Sequence, residues 1–215
     1  MAKAKKEGYL SSKESRRISR ENRKITNEYE KKRKRKNVPE TEYLTEMRDP
    51  NNAVEFDNLH TYFFTDAGTV KSVDGVSFEV PIGKTVGVVG ESGCGKSVTS
   101  MSVMRLIQGP AGQIADGSIR FQSYDYKRDQ KGNPVKNADG SFEMEEKFYD
   151  IAKMPIHEIH RIRGRQIAMI FQEPMTSLNP VFTIGDQLDE VTFIHVPGAT
   201  KEMAKARSME MLSMV

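Results

Sequence analysis

The stretch TVGVVGESGCGKSVTSMSVMRLIQ, residues 85–108, decides the fold. Its first six residues, TVGVVG, lack polar alternation, the pattern of a strand buried on both faces of a parallel sheet. The octet GESGCGKS, residues 90–97, fits G-x-x-x-x-G-K-[ST]. Beyond it, Val98, Met101, Met104 and Leu106 recur at helical spacing until Gly109-Pro110 stops the run. Strand, glycine-rich turn and helix in that order aim backbone N–H groups at an anion and add the positive end of a helix dipole. The amides from Gly93 to Val98 are expected to form the cradle, in a loop completed by Gly90, Glu91 and Ser92. Lys96 is placed to reach β- and γ-phosphate oxygens, and the Ser97 hydroxyl to ligate Mg²⁺. Cys94 is the one cysteine and reads as a small filler within the loop. With no second cysteine to pair with, a reduced, cytosolic location is the default expectation.

Upstream of the loop, AVEFDNLHTYFF and TVKSVDGVSFEV are short β-rich runs, the second closed by the turn signal Pro81-Ile82-Gly83-Lys84, and together they predict two antiparallel strands. Downstream, the pattern predicts a strand over 117–126, a short helix from Pro155 to Gly164 and a second buried strand in RQIAMIFQ, 165–172. Two helices follow, 183–195 and 200–215, separated by Val196-Pro197-Gly198. Within 125–153, Asn137, Asp139, Gly140 and Glu146 sit at calcium-loop offsets, but Val135 stands in the first ligand position. A β-turn at Asp139-Gly140 in a surface hairpin is the better reading. His157 and His160, three apart, lack a carboxylate or cysteine partner for a metal.

The net charge of +3 conceals a division: residues 1–50 hold 16 Lys/Arg against 9 Asp/Glu. Residues 1–52 therefore read as a basic leader, disordered or partly helical, joined by Pro39 and Asp49-Pro50-Asn51-Asn52 to the folded part at 53–215. Ile18, Ile25 and Tyr29 make an apolar stripe too thin to bury, while Glu7, Glu14, Glu21 and Glu28, with Arg17, Lys24 and Lys31 three residues beyond the last three, could support a solvated helix. The run KKRKRK, 31–36, leaves open a nucleic-acid-associated module as an alternative, or contact with acidic lipid. No apolar run reaches bilayer-spanning length.

With GESGCGKS and the Phe63 region, the stretch IAMIFQEPMTSLNP, 167–180, resembles the ATPase subunits of ABC transporters, most closely those of oligopeptide and dipeptide importers. The resemblance covers about residues 53–215. It implies an α/β P-loop NTPase of the ABC ATPase type: an N-terminal antiparallel β subdomain plus the first part of a RecA-like core, ending as the helical subdomain begins. It implies ATP and Mg²⁺ as ligands and stacking of adenine on Phe63, with Tyr62 the near alternative. Gln172, with Lys96, takes the catalytic role, approaching Mg²⁺ and the attacking water at the head of a loop containing Glu173 and Pro174. It further implies permease subunits, a second ATPase subunit, indirect service to an extracytoplasmic peptide-binding protein, and a peripheral place on the cytoplasmic face of the cell membrane.

Two features depart from that family. The 125–153 link is longer than the family's. No LSGGQ-like signature, acidic strand end or following switch histidine occurs, since Asp189-Glu190 follows Gly-Asp-Gln-Leu and His195 precedes the place of the signature. The expectation is of an N-terminal fragment whose residues alone would not turn ATP over.

Overall fold

A computed structural model describes residues 10–131, 133–172 and 178–215. The chain divides into two compact units, 1–159 and 160–215.

The first unit is built on a four-stranded sheet. Strands β1 (Asn52–Thr65) and β2 (Gly68–Pro81) form the expected hairpin, with Phe56 opposite Phe78 and Phe63 opposite Val70. Strand β3 (Gly112–Tyr126) lies on the other side of β1, and β4 (Met144–Asp150) follows it, giving the order β2-β1-β3-β4, antiparallel throughout. The β1–β3 register slips between Asp57 and His60, where Asn58 has φ +48°. Gly117 crosses there so closely that a Cβ would meet the Asn58 carbonyl oxygen at 2.2 Å, so only glycine fits. Leu59, Ile119, Tyr149, Ile151 and Met154 are fully buried and carry the core. The 125–153 segment continues the β3–β4 hairpin through the bridges Arg128–Pro134 and Lys136–Phe142, and turns where the Gly140 N–H donates to the Asn137 carbonyl (3.0 Å).

The leader is not a loose arm over most of its described length. Helix α1 (Ser12–Arg33) opens with a capping box: the Ser11 hydroxyl accepts from the Glu14 N–H, and the Glu14 carboxylate accepts from the Ser11 N–H (3.0 Å). The face it buries is polar. Ser15 and Ser19 donate to Asp66 (3.3 and 2.6 Å), and Asn22 Nδ2 donates to the carbonyls of Thr65 (2.7 Å) and Gly68 (3.4 Å). Tyr29 stacks on Phe64 with ring centroids 6.0 Å apart and donates to the Ala115 carbonyl (3.2 Å). Each such bond contributes only about 1 kcal/mol, but together they clamp both sides of the β1–β2 turn.

Two expected strands are not formed. Residues 85–90 and 165–172 make no strand; Val89 is 93% exposed and Ile170 is 92% exposed. A parallel strand holds its shape only with neighbours completing its ladder and layers covering both faces. Among the described residues neither segment has such neighbours, and 165–172 contributes only one parallel bridge, Arg163–Ile167. The helix after the loop is also shorter than its apolar spacing suggests: α2 (Lys96–Val103) ends before Arg105, whose φ of +52° leaves the helical region. The short helix expected over 155–164 reduces to turns and a 3-10 segment, Ile159–Arg161.

In the second unit, α3 (Ile184–His195) and α4 (Lys201–Ser213) match the two predicted helices. Thr183 and Thr200 cap them by accepting from the N–H groups of Asp186 and Met203. The Ser208 hydroxyl donates to Asp189 Oδ1 (2.5 Å), tying α4 to α3.

Candidate nucleotide-binding site

The phosphate-loop residues lie together between β2 and α2. Gly93 (φ +81°) and Gly95 (φ +97°) occupy the left-handed region, which turns the chain sharply into the helix. Gly95 is also the α2 N-cap, and a Cβ there would lie 2.2 Å from the Ser72 carbonyl oxygen of β2. The third glycine of the octet is thus the point where the loop presses on the sheet. Gly95 supplies no side-chain cap, so the first-turn amides of α2 are left to an external acceptor.

Lys96 folds back across the loop, its ammonium donating to the carbonyls of Gly90 (2.6 Å) and Glu91 (2.7 Å), 3.7 Å from Cys94 Sγ. The Cys94 N–H closes the same turn on the Glu91 carbonyl (3.4 Å). A Cβ on Gly90 would meet Cys94 Sγ at 2.7 Å, so the thiol fills the space above Gly90, in keeping with a small filler. Ser92 and Ser97 are exposed, and Val98 is half-buried. Helix α2 is held from below: Ser102 donates to the Val98 carbonyl (2.7 Å), which leaves the Thr61 hydroxyl of β1 to donate to Ser102 Oγ (2.8 Å). A positive side chain, helix amides without a partner among the described residues and an exposed hydroxyl therefore converge on one loop, a donor set suited to polyphosphate and its cation.

Phe63 sits half-buried on β1 between Val70 of β2 and Gly112 of β3, where a Cβ on Gly112 would come 2.8 Å from its ring. Its neighbour Tyr62 is engaged elsewhere, donating to Asp74 Oδ1 (2.5 Å) with the Lys71 ammonium 5.3 Å from its ring centre. That phenol, then His60 and Lys71, hold the Asp74 carboxyl down at about 2. Gln172 is exposed and belongs to the second unit; Glu173 and Pro174 lie outside the described residues. Asp189 and Glu190 are on α3, so they form no acidic strand end. His195 closes the same helix, and burial, reinforced by Arg165, pushes its imidazole pKa down.

One ionisable cluster was not singled out from the sequence. Glu55, 1% exposed, accepts from the N–H groups of Arg48 and Asp49 (both 2.9 Å) and from Asn52 Nδ2 (3.1 Å), with Arg120 Nη1 at 3.7 Å. Asp57 accepts from both Arg48 and Arg120. The one available signal was an acidic residue at an inward position of AVEFDNL, which reads equally well as an edge charge.

A glycine loop closing on a helix N-terminus, with a lysine at the first helical position, defines the class of P-loop nucleotide-binding proteins. Within that class, the sequence model of the ABC transporter family matches residues 73–214, and the chain belongs to that family. It is 43% identical over 162 residues to the oligopeptide transport ATP-binding protein AppD of Bacillus subtilis (strain 168), an alignment covering 75% of this chain and 42% of AppD. It is 40% identical over 158 residues to the dipeptide transport ATP-binding protein DppD of the same organism, covering 74% and 39%. The chain thus spans about two fifths of the length of these relatives. Among solved structures, a dimeric post-hydrolysis state of the ATP-binding cassette MJ0796 bound to ADP and Pi superimposes with a TM-score of 0.54 at 18% identity, over 75% of this chain and 56% of that one, a likeness of fold.

Proposed function

We propose that this chain is the nucleotide-binding part of an ATP-binding subunit of an ABC importer for oligopeptides or dipeptides. The observation that carries the reading is the loop 90–97, with Gly93 and Gly95 left-handed and Lys96 poised across it. Lys96 would exchange the Gly90 and Glu91 carbonyls for β- and γ-phosphate oxygens, and the amides from Gly93 to Val98 would close on the phosphates. Ser97 Oγ would hold Mg²⁺, which when bound neutralises charge on the phosphates. Phe63 would stack on adenine, and Gln172 would complete the Mg²⁺ and water contacts; both roles rest on the motif match.

The printed functions of AppD and DppD support the solute class. Among the described residues no helix is long and apolar enough to cross a membrane. On the same likeness to AppD and DppD, the chain would work through separate permease subunits on the cytoplasmic face of the membrane. A second ATPase subunit and, indirectly, an extracytoplasmic peptide-binding protein complete the proposed assembly. Replacing Ser97 by Ala tests the metal role. ATP affinity measured with and without Mg²⁺ is expected to differ clearly in the unaltered chain and to converge in Ser97→Ala; an unchanged Mg²⁺ effect would refute it.

A further inference from the structure

The docking of α1 sorts its side chains. Ser15, Ser19, Asn22 and Tyr29 face the sheet, as their hydrogen bonds show, and Thr26 is buried with them. At 3.6 residues per turn the opposite side carries Lys13, Arg16, Arg17, Arg20, Arg23, Lys24 and Lys31 within an arc of about 120°. All seven are exposed, and among the described residues none is ion-paired. Glu14, Glu21 and Glu28 fall outside the arc along one border, and Glu30, paired with Arg33 and Lys34, along the other. From Lys13 to Lys31 the row runs about 27 Å at 1.5 Å per residue. The capping box at one end and the clamp on Thr65, Asp66 and Gly68 along the body fix this row to the folded unit.

We infer that this face of α1 is a docking rail for an anionic phospholipid surface. A straight row of cations without interleaved carboxylates complements a flat layer of negative headgroups, each cation near the surface adding attraction. The arc contains no aromatic ring to stack on bases, because Tyr29 is turned inward onto Phe64, so a single-stranded nucleic acid finds no platform there. Nor does the arc present an apolar stripe for insertion, which makes the contact electrostatic, reversible and sensitive to salt. The inference is independent of the nucleotide reading, since none of these residues belongs to the loop.

The test is co-sedimentation of the whole chain with vesicles of phosphatidylcholine alone and of phosphatidylcholine with phosphatidylserine in equal parts. Binding is expected only to the second, and to fade as salt is raised. The variant Lys13→Gln/Arg17→Gln/Arg20→Gln/Lys24→Gln is expected to bind at least about a hundredfold more weakly, from about fivefold per cation. These side chains are exposed, so its far-UV circular dichroism and thermal midpoint should stay at those of the unaltered chain. Equal binding to neutral vesicles, undiminished binding by the variant, or tighter binding of duplex DNA than of the anionic vesicles would each overturn the inference.

Discussion

At the scale of single residues, two charges show how differently one chain uses them. Lys96 is held by two carbonyl oxygens at the mouth of a loop, partners that a phosphate can replace at little cost because they are themselves exposed to water. Glu55 is a fixed charge. Its burial pulls the carboxyl pKa up, but the hydrogen bonds from Arg48, Asp49 and Asn52 and the charge of Arg120 outweigh it and hold the pKa below the ordinary 4.5. A depressed carboxyl pKa stabilises the fold fully above the unfolded value and loses that stabilisation as pH falls through the lower folded value. Glu55→Ala, which strands two backbone donors and an amide, is therefore expected to cost about 3–5 kcal/mol at neutral pH. The gap from the unaltered chain should narrow below pH 4.5, as read by urea denaturation at the two pH values. A gap that stays constant with pH would show that the Glu55 charge is not what holds the cluster together.

At the scale of elements, the pattern of success follows from what hydrophobic periodicity can see. The β1–β2 hairpin, α3 and α4 were legible because β-rich runs, the turn residues after β2 and the Val196-Pro197-Gly198 break are local signals. The loop was legible because GESGCGKS dictates its own backbone. Helix α1 was legible only as a leader disordered or partly helical, and not as a docked helix, since it is attached by Ser15, Ser19 and Asn22 and not by an apolar stripe; Ile25 remains exposed. Residues 85–90 and 165–172 were misread for the converse reason: an apolar run reports a strand's suitability for burial, while a parallel ladder depends on neighbours far along the chain. The polar docking of α1 has a measurable consequence. Asn22→Ala removes both bonds to the turn carbonyls, and should weaken the attachment by about 1–2 kcal/mol. Hydrogen exchange is then expected to quicken across α1 while β1 and β3 keep their protection. Uniform acceleration of helix and sheet would mean instead that α1 and the sheet open as one unit.

At the scale of the whole molecule, the phosphate loop and Phe63 belong to the unit 1–159, and Gln172 to the unit 160–215. Every residue assigned to phosphate binding therefore lies in the unit that also holds the four-stranded sheet and α1. In the proposed reading that unit would hold phosphate by backbone amides, one lysine and one hydroxyl, an arrangement that concentrates positive potential at a single point of a chain carrying only +3 overall. The family match places the chain in the ABC transporter family, and the peptide solute is proposed from the printed transport functions of AppD and DppD. Everything further about transport depends on the loop 90–97 binding nucleotide. Titration calorimetry with Mg·ATP on the 215-residue chain and on Lys96→Ala tests this most directly. The unaltered chain should release heat on binding and the variant should show none, with both folding alike by circular dichroism; an ATP affinity unchanged in Lys96→Ala would contradict the assignment.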